Sequence, residues 1–91
     1  MQHFKYILFP ASAPLDVETP VLFPPWLQHK DVAAGLSQRL GGLPAPVSAG
    51  FVKFDHPGYR GGQVIAICYG SSDSLNLASR PQDAEFIEAL L

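Results

Sequence analysis

The residues with the most chemical potential stand together in "GSSDSLNLASRPQDAEF", Gly70–Phe86, directly after the apolar run Val64–Tyr69. Exposed N–H groups in a Gly/Ser turn that follows a strand can cradle an anion. The glycine spacing of a phosphate-binding loop is missing, however, and no lysine follows. Gly70, Ser71, Ser72 and Asp73 are also the residues a hairpin turn requires. Ser79 and Gln82 match the S-x-x-Q capping box, Pro81 suits a first helical turn, and Asp83 suits the positive end of a helix dipole. The stretch is therefore expected to be a turn at Gly70–Asp73, a half-buried strand at Ser74–Ala78 and a capped helix from Ser79, not a site.

The other reactive side chains are few. Cys68 could act as a nucleophile only with a depressed pKa, and its apolar strand supplies none of the cations that would depress it. It reads as inert core. His3, His29 and His56 have no His, Cys or carboxylate partner at ligand spacing, so no metal site is expected. No catalytic constellation and no cofactor motif is found. "DHPGYRGG" offers His56, Tyr59 and Arg60 between glycines in an exposed loop, and Tyr and Arg are enriched at protein interfaces. "FPPWL" could present Trp26 on a polyproline face. Its simpler reading has Phe23, Trp26 and Leu27 covering one side of the core. His56, Tyr59, Arg60 and Trp26 are the candidate binding residues.

These residues must be held by elements that the pattern predicts. "HFKYILF", His3–Phe9, alternates as a strand ended by Pro10, with Phe4, Tyr6 and Leu8 on one face. Ala11–Gln28 carries four prolines, which exclude a helix interior. It also has too much apolar mass for a linker. It reads as an ordered loop packed on the core, with a short edge strand at Val21–Phe23. His29–Gly42 forms a helix with Val32, Leu36 and Leu40 on one stripe, closed by Gly41 and Gly42 with Leu43 beyond. Pro46–Asp55 and Gln63–Tyr69 are strands, and the latter is apolar on both faces, as a central, covered strand would be. Phe86, Ile87, Leu90 and Leu91 form the buried face of the last helix.

The order β-loop-α-β-β-β-α predicts an α+β fold: an antiparallel sheet of about four strands with two helices packed on one face. The last three strands should form a meander. The expected core is Tyr6, Leu8, Val32, Leu36, Leu40, Val52, Ile65, Ile67, Leu75, Leu77, Phe86, Ile87 and Leu90.

Composition limits what this frame can do. A length of 91 residues predicts a single domain over 1–91. Charged residues make up only 15% of the chain, against roughly 25% in typical domains, so apolar surface is expected to be left over for an interface. The net charge of −2 and the lack of a basic run argue against nucleic acid. No apolar run approaches a membrane span, and "MQHFKYILFP" lacks a signal-peptide arrangement. With one cysteine there is no internal disulfide, and a cytoplasmic setting is expected. The reading that follows is a small non-catalytic cytoplasmic protein acting through protein–protein contact, with a protein partner or with itself as a homodimer. The alternative is a small-ligand-binding protein or enzyme that uses the loops at 55–60 and 70–74. It requires those loops to meet at one concave site.

Overall fold

A computed structural model describes residues 3–55 and 64–90. The elements are β1 (His3–Phe9), β2 (Thr19–Phe23), α1 (His29–Arg39), β3 (Ser48–Asp55), β4 (Ile65–Tyr69), β5 (Ser71–Ser72), β6 (Leu77–Ala78) and α2 (Asp83–Glu88). Strands β2-β1-β3-β4 form one sheet in that order, and every neighbouring pair is antiparallel. The α+β class and the four-stranded antiparallel sheet agree with the sequence pattern.

The fourth strand is β2, not the segment near residue 75. Pro20 lies within β2, and an edge position tolerates it because no outer neighbour needs its missing N–H. The meander is limited to β3 and β4. The chain then leaves the sheet, and β5 and β6 pair only with each other. Their connecting turn is Asp73–Asn76 rather than Gly70–Asp73. Asn76 adopts φ 56, a left-handed conformation that asparagine tolerates.

The two helices take opposite faces of the sheet, where the sequence suggests one. Val32, Ala33 and Leu36 of α1 pack with Leu75 and Leu77 of the hairpin segment against Ile7, Phe9, Phe23 and Ala49. Ile87 of α2 is buried with Tyr6, Leu8, Val52 and Ala66, and Ala84 and Phe86 pack alongside. The cause is β1: Tyr6, Ile7, Leu8 and Phe9 are all buried, so both of its faces need a cover.

Other expectations shift for local reasons. Helix α1 ends at Arg39 with Leu40 as its C-cap, short of the expected Gly42, and the glycine closure follows directly, with Gly41 at φ +76 and Leu43 packed against the core beyond it. Helix α2 begins at Asp83, and Ser79 and Gln82 do not form a capping box. Asp83 itself reaches back, accepting the Arg80 backbone N–H at 2.9 Å. Leu40, Ile65, Ile67 and Leu90 are exposed, while Ile7, Phe9, Phe23, Ala49 and Ala66 join the core in their place. Trp26 is 79% exposed on the turn after β2 and covers no core, although Phe23 next to it is buried. Leu91 lies outside the described residues.

Candidate functional site

Two surfaces on the α1 side of the sheet stand out, and Phe51 links them. Cross-strand pairs place His3 with Lys53, Lys5 with Phe51, Phe51 with Tyr69, Lys53 with Ile67, and Asp55 with Ile65. Directly paired residues project from the same face. Among the described residues, α1 and the hairpin cover that face over Ile7 and Ala49 but not over β4.

The first surface is the uncovered part. Ile65, Ile67 and Tyr69 are 43%, 38% and 38% exposed. Tyr69 stacks on Phe51, with centroids 5.6 Å apart and planes at 21°, and is hydrogen-bonded to His3 Nδ1 at 2.8 Å. The apolar stripe is thus flanked by Lys53 and Asp55, one charge of each sign.

The second surface is a cleft of about 520 Å³, lined by Lys5, Gln28, His29, Phe51 and the segment Gly70–Ser74. Gly70 makes its wall possible. Its φ of +75 suits glycine, and a Cβ there would meet the Phe51 ring at 3.0 Å. Two of the serines are already engaged. Ser72 Oγ accepts the Leu75 N–H at 3.2 Å, and Ser74 Oγ accepts the Lys30 N–H, also at 3.2 Å. Ser74 thereby serves the start of α1, where Gln28 makes no side-chain cap. His29 is buried and donates from Nε2 to the Gly50 carbonyl at 2.9 Å. Burial lowers its pKa, so the ring is neutral near pH 7. The Lys5 ammonium donates to the Leu27 carbonyl at 2.8 Å and lies 5.9 Å from the Phe51 ring centroid.

The opposite side of the sheet holds a polar lock. Tyr6 donates to Asp83 Oδ2 at 2.5 Å, and Arg80 Nε donates to Asp83 Oδ1 at 2.9 Å. Asp83 is fully buried. Burial, and then the bond to Asp83, raise the Tyr6 pKa far above the ordinary phenol value. Nearby Cys68 has its pKa pushed up to about 11, chiefly by burial. It is therefore a thiol at neutral pH and a poor nucleophile. These groups anchor α2 to β1. No group of three metal-ligating side chains occurs among the described residues.

Of the candidate binding residues, His56, Tyr59 and Arg60 lie outside the described residues. Trp26 is exposed but is not among the cleft's lining residues. Of the alternative reading's first loop, only Asp55 is among the described residues: it pairs with Ile65 at one end of β4, whereas Gly70 follows Tyr69 at the other. The strands therefore do not bring 55 and 70–74 together. Sequence reasoning missed Lys5, Gln28 and Phe51. The available signal was Lys5, a charge on the same face as Ile7 and Phe9 in an otherwise apolar strand. No family model, curated protein or solved structure matches this chain.

Proposed function

We propose that this is a small, non-catalytic cytoplasmic protein that works through protein–protein contact, using the open face of β4 to associate with a second copy of itself. One observation carries the reading: Ile65, Ile67 and Tyr69 form an exposed apolar stripe with Lys53 and Asp55 beside it. Contiguous apolar surface of this kind on a soluble chain marks an interaction site. The charges favour self-contact. A two-fold interface repeats the same patch on both sides, so Lys53 of one copy can meet Asp55 of the other. The low charged fraction supports it further, and the single cysteine suits a reducing compartment. Among the described residues no helix is long and apolar enough to cross a membrane.

Sedimentation equilibrium at micromolar concentration tests the reading. A dimer mass is expected, with Ile67→Lys shifting it to monomer while near-UV circular dichroism stays native. Lys53→Asp should weaken the dimer, and adding Asp55→Lys should restore it. A monomer mass for the unaltered chain throughout the micromolar range removes self-association.

A further inference from the structure

The cleft beside α1 has properties that the contact face does not use. Its volume of about 520 Å³ falls in the range of small-molecule sites, roughly 300–1,000 Å³. Its charges decide the ligand class. Lys5 supplies one positive group and Asp73 one negative group. Both ion pairs formed among the described residues belong to Arg80, so Lys5 and Asp73 are not joined to each other. The Lys5 ammonium has three donors and gives one to the Leu27 carbonyl, leaving two that no other described residue takes. Asp73 is exposed on the hairpin turn. A phosphate would meet a single ammonium and a repelling carboxylate, and two of the three serines already serve the local fold. An apolar ligand would strand both charges. A ligand carrying one charge of each sign satisfies both walls, and the Phe51 ring offers it an aromatic surface.

We propose that this cleft binds a small zwitterion of the α-amino-acid class, with its carboxylate on the Lys5 ammonium, its ammonium on the Asp73 carboxylate and its side chain against Phe51. Its two charge contacts are separate from self-association, because neither Lys5 nor Asp73 belongs to the β4 stripe; Phe51, stacked on Tyr69, is the residue that touches both surfaces.

The test is a nuclear magnetic resonance titration of the full chain with L-phenylalanine, N-acetyl-L-phenylalanine, L-phenylalanine amide and inorganic phosphate. L-phenylalanine should shift the backbone amides of Gly70–Ser74 and His29 in a saturable way. The acetylated and amidated forms each lose one charge and should bind about tenfold more weakly, as the loss of one charge-assisted hydrogen bond implies. Asp73→Asn is a conservative change on an exposed turn and should weaken L-phenylalanine by about the same factor. Lys5→Met should do likewise, with its thermal unfolding followed as a control because it also removes the bond to Leu27. Binding to Ile67→Lys should be unchanged, which separates this site from the contact face. Phosphate binding more tightly than L-phenylalanine overturns the proposal. So does equal affinity for the acetylated form, or no saturation by about 10 mM, beyond the millimolar range of weak binding.

Discussion

Strands β1 and β4 read alike in sequence: "YILF" and "IAICY" are both apolar at successive positions, so both offer apolar groups to two faces. Their environments differ. In β1, Tyr6, Ile7, Leu8 and Phe9 are all buried, with α2 on one side and α1 on the other. In β4, Ala66 is buried and Cys68 half-buried on the α2 side, while Ile65, Ile67 and Tyr69 are exposed on the other. Position in the sheet accounts for this. Strand β1 lies between β2 and β3, whereas β4 is an edge. Its outward Ala66 N–H is met at 2.8 Å by the Glu88 carboxylate of α2, which covers one side of the edge only. An apolar two-faced strand therefore identifies either the middle of a core or an edge with one face exposed, and the pattern alone does not separate them.

The sharpest test is the same substitution in both strands. Ile7→Ala should cost about 2–5 kcal/mol in denaturant unfolding, the usual range for a buried Ile. The next effect tests what holds α2 over β1. Tyr6→Phe keeps the ring and deletes one hydrogen bond to a buried carboxylate, so a loss of about 1.5–3 kcal/mol is expected. Asp83 retains its two bonds from Arg80, which is why the loss should stay below that of Ile7→Ala.

Cys68 checks that the inner side of β4 is covered. Its raised pKa means that the thiolate forms only near pH 11. Alkylation by iodoacetamide in the folded chain at pH 8 should run more than tenfold slower than in the unfolded chain, and should accelerate with rising pH. The same shift sets the sign of a stability change. The folded state holds its proton more tightly, so this contribution is complete below the ordinary thiol value of 9.0 and is lost as pH rises through about 11. Ile67→Ala is the smallest effect, under about 1 kcal/mol at submicromolar concentration, because the side chain is already in contact with water. A cost equal to that of Ile7→Ala would erase the contrast between the strands and show that the outer side of β4 is covered within the chain.

Much of the frame was legible from local rules. Pro10 ending β1, the Gly41 closure of α1 and the short edge strand at Val21–Phe23 each follow from backbone chemistry that acts over a few residues, although β2 begins earlier, at Thr19, and includes Pro20. The cleft was not legible, because Lys5, His29, Phe51 and Asp73 converge from four separate segments. Ser74 shows the same limit: as a residue it reads as turn chemistry, yet its hydroxyl meets the first turn of a helix 44 positions away in the chain. The Ser79–Gln82 pairing failed for a related reason. Asp83 has two further partners, Tyr6 across the sheet and the Arg80 side chain, and those contacts fix where α2 begins.

By itself the sequence determined which residues alternate, where the chain must turn or stop, and the α+β class with its antiparallel sheet. Those properties depend on side-chain period and on the φ restrictions of proline and glycine. Only the tertiary structure decided that the helices divide between the two faces, that β1 is central and β4 an edge, and that Lys5 and Asp73 line one cleft. Period assigns residues to a face, but burial depends on what long-range packing places over that face.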